Sequence, residues 1–289
     1  MQDLISVTIM VRDSGSILEE FLKRLKKQKV ELPYELVVLY YGQGTDTLKR
    51  LKPFSPKIVQ IPPKNFNLGI SRDLVCKNAA GKYIVTVSVD ALPTNSLWLH
   101  ELISPMISGK ADIVQGSQKC PEHGDPNYPN FFYWERNYNF FYSSEGKRFI
   151  NQYGKIGLSC VNMAFRKEVW ERSGFSGVSY CEDKIFQKRA YEAGYISIFK
   201  NKALTLHAHP YPTVKALFQR ISNEGLGWKE VGEKYGIDLL LKDMFRIDLF
   251  FLALTAIRRN KLKHMSEIFF FLIRPIALYW GNNFAKNVY

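Results

Sequence analysis

Cysteine is scarce in this sequence, and its pattern is not that of a site. The four residues, Cys76, Cys120, Cys160 and Cys181, form no C-x-x-C pair and sit at no zinc-finger spacing from a histidine. They read as reduced, buried thiols of a reducing compartment, which excludes a disulfide scaffold. Long apolar runs are also missing. A span needs roughly 18 uninterrupted apolar residues. Residues 249–257 stop at Arg258 and Arg259, and residues 268–273 stop at Arg274 and Pro275. The first residues carry no basic segment, so no secretory signal is expected. No G-x-G-x-x-G follows the first apolar run, and there is no G-x-x-x-x-G-K-[ST] or G-x-S-x-G. A dinucleotide-binding dehydrogenase, a P-loop NTPase and a serine hydrolase are disfavoured. Internal repeats and low-complexity tracts are absent. Acid is short as well: 27 Asp and Glu stand against 40 Lys and Arg, a net charge of +13. Such a surface favours nucleic acid, acidic lipid or phosphorylated small molecules, and charge alone does not choose among them.

What remains is a globular composition, 46% hydrophobic and 23% charged over 289 residues, enough for one large or two modest domains. Residues 5–11, 35–41 and 57–61 are β-rich and apolar. Residues 83–89 form a near-continuous β-branched run, the signature of a strand buried on both faces. Between them lie helical patterns. Ile17, Leu18, Phe21, Leu22 and Leu25 share one face, and residues 71–80 read as a helix stopped by Gly81. The alternation predicts an α/β chain with a mostly parallel sheet flanked by helices. In such sheets ligands bind beyond the carboxyl ends of the strands. Arg12-Asp13, Gly42-Gln43 and Asp90 are therefore candidates.

Further on, residues 121–153 are rich in Pro, Asn and aromatics. Residues 131–142, Trp134 among them, suit either a helix lining a cleft or a stripe packed in the core. Residues 182–193 have helical spacing and end at Gly194. Residues 195–199 and 203–206 read as two short strands leading to His207-Ala208-His209, and residues 213–228 as a helix. Residues 246–289 read as two amphipathic helices joined by a basic turn, Arg258, Arg259, Lys261 and Lys263. This suits either anionic headgroups beneath apolar wedges or a hairpin packed on the domain.

Several residues have chemical readings. Asp90, at the end of the best strand, can bind a hard divalent cation with phosphate oxygens completing the shell; a turn or cap role is the plain alternative. Glu182-Asp183, at a helix start, either complements the helix dipole or supplies a general base. His207 and His209 fall on one face if the segment is extended, and are either metal ligands or an ordinary pair. Arg72 follows a glycine-containing turn into a helix, a place for a phosphate-bearing ligand.

In order and spacing, these fragments resemble one family. Phe66-Asn67-Leu68-Gly69-Ile70-Ser71-Arg72-Asp73, Ala80-Gly81-Lys82-Tyr83-Ile84-Val85 and Ser88-Val89-Asp90-Ala91-Leu92-Pro93 are similar to the sugar-nucleotide half of family 2 glycosyltransferases. The branch they look most like contains rhamnosyltransferases of bacterial surface polysaccharides. Residues 160–167 resemble its acceptor-side segment, Cys181-Glu182-Asp183-Lys184-Ile185-Phe186 its acidic catalytic motif, and His207-Ala208-His209 its late histidine pair.

The resemblance implies a GT-A fold, with a catalytic domain over 1–245 (a nucleotide-sugar half, 1–95, and an acceptor half, 96–245) and a surface-binding segment over 246–289. It implies an inverting, metal-dependent hexosyltransferase. The donor would be a nucleotide sugar, dTDP- or UDP-linked, and the cation Mn2+ or Mg2+. The acceptor would be a glycan or lipid-linked glycan. The expected location is cytoplasmic, peripheral on the inner face of the membrane, with no nucleic-acid partner. By the same resemblance Asp183 is the base, with Glu182 beside it. Arg12, Tyr40, Gly42, Asn67, Arg72, Ser88 and Asp90 line the donor; Trp134 and Asn162 face the acceptor; Asp90, His207 and His209 hold the metal. Two departures stand out. Ser88 occupies the first position of the D-x-D motif. Tyr40 occupies the place of an acidic residue that reads the base, where its ring could stack instead. Asp73, where the family commonly has Asn, is a smaller one. Ser88 and Tyr40 leave open a non-catalytic sugar-nucleotide or glycan binder, which the retained Asp90, Asp183 and histidine pair oppose. A nucleic-acid binder lacks a recognisable motif.

Overall fold

The computed structural model describes residues 2–119, 157–207, 213–247 and 269–286, with Phe250, Phe251, Leu254 and Arg258 besides. Trp134 and His209, along with Cys120, lie outside the described residues.

The expected α/β architecture is present. The strands are β1 (Gln2–Val11), β2 (Tyr34–Tyr40), β3 (Lys57–Gln60), β4 (Gly81–Val87), β5 (Leu92–Pro93), β6 (Ile113–Lys119), β7 (Asn162–Arg166) and β8 (Ser197–Leu206). They form one sheet in the order β3-β2-β1-β4-β7-β6-β8-β5. β1 pairs parallel with β2 and β4, and β2 with β3. β7 runs antiparallel to β4 and β6, and β5 antiparallel to β8. The helices are α1 (Ser16–Lys26), α2 (Thr45–Leu51), α3 (Leu68–Asn78), α4 (Trp98–Ile107), α5 (Lys167–Ser173), α6 (Glu182–Glu192), α7 (Val214–Glu230), α8 (Ile237–Met244) and α9 (Phe270–Asn283).

Period-two alternation gives the sheet a separate core on each face. Val85 and Val87 of β4 and Leu36 and Val38 of β2 point into one, with Leu18, Phe21 and Leu22 of α1 and Trp98 and Leu102 of α4. Ile84, Val37 and Leu39 point into the other, under Val75 and Cys76 of α3, Val169 of α5 and Phe186 of α6. Phe165, Phe175 and Phe186 pack together there with centroids 4.7–6.0 Å apart, Phe175 and Phe186 stacked. A third cluster joins α7 to α9 through Leu217, Ile221, Phe270, Ile273 and Leu278.

Three local readings change. α3 starts three residues early, because Asn67 caps it by accepting from the Ile70 amide at 3.1 Å. Gly81 is not a helix stop but the first residue of β4. Its α-carbon passes so close to β1 that a Cβ would come within 2.4 Å of the Leu4 carbonyl oxygen. The two short strands before His207 are one, β8, whose pairing with β6 shifts register after Gly116, so a bulge interrupts the hydrophobic alternation.

Candidate active site

The chain runs outward from β1 to β2 and β3, then returns to the other side of β1 as β4. Loops leave in opposite directions at that switch point, and a crevice opens beyond the strand ends. A cleft of about 410 Å³ lies there. Met10 and Ser14 reach it from the end of β1, Tyr41 from β2, Phe66, Leu68 and Arg72 from the start of α3, and residues 87–90 from β4.

Of the residues singled out in sequence, the cleft gathers Arg72, Ser88 and Asp90. Ser88 opens the turn after β4: its amide donates to the Val161 carbonyl at 3.1 Å, and its own carbonyl accepts from the Ala91 amide at 2.9 Å. That turn presents Asp90. Asp90 Oδ1 lies 3.5 Å from Nε2 of His207, whose side chain is 1% exposed. The His207 amide donates to the Lys119 carbonyl at 2.9 Å, which anchors the imidazole at the end of β8. Carboxylate and imidazole thus meet from opposite halves of the sheet, Asp90 lining the cleft and His207 buried behind it. They are a fitting oxygen and nitrogen donor pair for a divalent cation. Among the described residues no group of three such ligands occurs.

Arg72 is buried and held at two points. Nε donates to Glu182 Oε1 at 2.6 Å and Nη1 to Thr86 Oγ1 at 2.9 Å. Burial works against its charge, but the surrounding groups more than offset that and push its pKa up. Burial also keeps the neighbouring Cys160 thiol protonated, so Glu182 is the effective counter-charge at neutral pH. Glu182 is therefore a partner of Arg72, 6% exposed at its side chain. Asp183 follows it in the first turn of α6, with its carboxylate 3.6 Å from Lys184 Nζ; it is not among the residues lining the cleft.

α6 is set against the cleft by a clamp onto α3. Asn67 Nδ2 donates to the Gly177 carbonyl and to Ser179 Oγ, both at 3.2 Å. The Gly69 amide donates to the Val178 carbonyl at 3.1 Å. Asp73 Oδ1 accepts from Trp170 Nε1 at 2.8 Å and the Phe175 amide at 2.9 Å. An aspartate serves better than an asparagine where one oxygen takes two donors. Cys181, which precedes α6, has a left-handed backbone with φ 58°. α7 approaches it so closely that a Cβ on Gly227 would lie 2.7 Å from Cys181 Sγ.

Four donor or acceptor assignments are corrected by these positions. Tyr40 is 1% exposed, so its ring cannot stack on a ligand. Its hydroxyl donates to Asp13 Oδ1 at 3.1 Å and also bonds the Gly44 carbonyl. Gly42 leaves no room for a side chain beside Asp13 and Tyr40 and shapes this loop rather than the cleft. The Gly44 amide, followed by the Tyr40 hydroxyl, holds the Asp13 carboxyl below the usual carboxylate range. Asn67 is a cap and strut. Asn162 is fully buried: Oδ1 accepts from Trp98 Nε1 at 3.0 Å, and Nδ2 donates to the Ser117 and Ala203 carbonyls at 2.8 Å each. It fills the β6–β8 bulge and has no group left for an acceptor. Arg12 is exposed at the end of β1, and its charge acts on Tyr41.

The ring that does face the cleft is Tyr41, stacked on Phe66 with centroids 3.8 Å apart and planes at 14°. Burial pushes its phenol pKa up. Strand phase was the available signal: Tyr40 is the last residue of β2, and Tyr41 lies just past it.

The model of glycosyl transferase family 2 matches residues 6–174. An O-antigen chain rhamnosyltransferase, WbaN of Salmonella anatum, is 27% identical over 215 residues. That match covers 72% of this chain and 66% of the relative, just under two thirds of its length. Among solved structures, the mannosyltransferase PcManGT of Pyrobaculum calidifontis, in complex with GDP-Man and Mn2+, superposes with a TM-score of 0.56 at 14% identity. It covers 96% of this chain and 69% of that one. Glucosyl-3-phosphoglycerate synthase of Mycobacterium tuberculosis with UDP gives 0.54 at 14% identity, covering 79% of each chain. At such identities the likeness shows the fold, which is GT-A.

Proposed function

Because the chain belongs to glycosyl transferase family 2, we propose that it moves a hexose, rhamnose or a similar sugar, from a nucleotide-sugar donor to a hydroxyl of a glycan or lipid-linked glycan. The observation that carries this reading is the cleft at the switch point. Its lining includes a buried, charged arginine, Arg72, and the carboxylate of Asp90, which has His207 3.5 Å behind it. The solved relatives with GDP-Man and Mn2+, and with UDP, support a nucleoside diphosphate and a cation in that place. dTDP or UDP is the proposed carrier, as the family resemblance implies.

Asp90 and His207, with His209 as a further candidate, would hold Mn2+ or Mg2+. When bound, the cation neutralises charge on the leaving diphosphate. Arg72, whose Nη2 is not engaged among the described residues, adds a fixed positive charge at the cleft wall. The stacked Tyr41–Phe66 wall offers an aromatic face to the base. Asp183 takes the proton of the attacking hydroxyl while that oxygen bonds to the anomeric carbon from the side opposite the leaving group, which gives inversion. Trp134 remains a proposed acceptor contact. The catalytic unit is proposed to span 1–245, with 246–289 as a surface-binding segment that works at the inner face of the membrane. Among the described residues, no helix is long and apolar enough to cross a membrane.

The test is a donor panel with manganese: dTDP-rhamnose, UDP-sugars and GDP-sugars, each scored by thermal shift and slow donor hydrolysis. A metal-dependent hit that disappears in Asp90→Ala is the expected result and names the donor. A folded protein silent to every donor would refute the assignment.

A further inference from the structure

Among the described residues, most of the large apolar side chains left exposed fall in one region, residues 237–284. On α8 and the residue after it, Ile237, Leu241 and Phe245 recur at every fourth position, 57%, 50% and 77% exposed. On α9 and the residue after it, Ile276, Trp280 and Phe284 repeat the spacing at 45%, 52% and 56%. One turn of an α-helix is 3.6 residues, so each triplet is a stripe along one side of its helix. Other side chains of these helices hold them in place. Leu239 and Leu240 of α8 pack with Phe270, Ile273 and Leu278 of α9. Asp243 of α8 accepts from the Tyr235 hydroxyl at 2.7 Å and lies 3.8 Å from Arg274 of α9. Arg274 in turn lies 3.6 Å from Glu224 of α7. The two helices are thus fastened to each other and to α7 by other side chains, while among the described residues the stripe side chains stay 45–77% exposed, with Phe284 touching Tyr279 and Trp280 at ring-centroid distances of 5.9 and 5.2 Å.

We infer that these two stripes dock this region of the chain on an anionic lipid bilayer. This rests on the reading above and names the surface through which the transferase meets its lipid-linked acceptor. Two observations choose a bilayer over a second copy of the chain. The outward residues include Trp280, Phe245 and Phe284, ring-bearing side chains suited to the headgroup and acyl boundary. The surrounding charge is basic. Lys234, Lys242 and Lys286 are exposed, α9 carries no acid, and Asp238 is the exposed acid of α8. Over residues 246–289, seven Lys and Arg stand against two Asp and Glu. Two copies meeting through such a face, each with a net charge of +13, repel each other; an anionic surface attracts both the charge and the wedges. The orientation also differs from a tail that binds by itself, since the first stripe begins before residue 246 and belongs to a helix packed on the catalytic unit.

The experiment is sedimentation of the full chain with phosphatidylcholine vesicles, with and without phosphatidylglycerol, alongside light scattering of the free protein. Wild type is expected to bind the anionic vesicles and to release as salt is raised. Phe245→Glu combined with Trp280→Glu should weaken binding by at least about tenfold, and Lys242→Glu combined with Lys286→Glu should weaken it as well. All four positions are exposed, so circular dichroism and the thermal shift given by the donor should stay as in wild type. Equal sedimentation with and without vesicles would overturn the inference, and so would undiminished binding of the Phe245/Trp280 variant. A wild-type dimer that this variant makes monomeric would overturn it in favour of self-association. Loss of donor response with vesicle binding intact would count against the transferase reading and leave this surface standing.

Discussion

The Arg72–Glu182 pair is the connection on which the site's geometry turns, and its strength can be measured. Glu182→Ala leaves the guanidinium of Arg72 inside the protein with Thr86 as its remaining partner. The two side chains are 10% and 6% exposed at a separation of 2.6 Å, so solvent screens the loss little. Removing one member of a buried pair costs about 3–5 kcal/mol, most of it the uncompensated charge. For a chain of this size that corresponds to a fall in Tm on the order of 10 °C. Arg72→Ala should cost a similar amount, and the double variant much less than the sum, because no lone charge is left. A thermodynamic cycle from urea unfolding of the four proteins is the assay. The expected coupling is about 2 kcal/mol or more, and additivity within about 0.5 kcal/mol would refute the reasoning. Transfer activity separates the two roles of the arginine: the double variant should recover stability yet stay inactive, since the positive wall of the cleft is gone. A stable and active double variant would make the pair a structural strut alone.

Asp183→Asn should keep the thermal shift given by the donor but lower transfer by about 10²–10⁴-fold; unchanged turnover removes Asp183 from the role of base. Gly69→Ala places a methyl 1.7 Å from the Ser176 carbonyl oxygen, a backbone atom that cannot swing away. A loss of about 2 kcal/mol or more is expected in urea unfolding, and wild-type stability would contradict the close contact of α3 with the loop before α6. Burial raises the thiol pKa of Cys76 and Cys160 in the folded chain. Their contribution is therefore complete below the unfolded-state value near 8.5 and is lost as pH rises above it, by up to about 2.7 kcal/mol per pH unit for the two. Tm should fall between pH 8.5 and 10, with both thiols slow toward a disulfide reagent at pH 8 until denaturant is added; a flat Tm profile would count against it.

Residue order alone carried the architecture a long way. Apolar runs of strand length at residues 5–11, 35–41 and 83–89, separated by helical spacing, determine a mostly parallel sheet because each run can be satisfied only by burial on both faces. The same logic places Ser88 and Asp90 at a strand end and Arg72 in the first turns of a helix, so three cleft residues are legible in the sequence. What depended on tertiary structure is whatever two distant segments decide together. Whether Tyr40 or Tyr41 faces the cleft is a matter of strand phase at its last residue, settled by Asp13 reaching across from β1 to take the Tyr40 hydroxyl. The side chain of Asn162 is committed by the β6–β8 bulge, whose carbonyls come from 45 residues before it and 41 after, a pairing that local sequence does not encode. Asn67 became a strut because the loop at 177–179 folds onto it. Glu182 and Arg72 are 110 residues apart, and periodicity, a signal of neighbours along the chain, carries no information about such a pair. The helix stripes at 237–245 and 276–284 show the same division. Their apolar spacing is written in the sequence, but only packing decides which side of each helix turns inward and which is left for a partner.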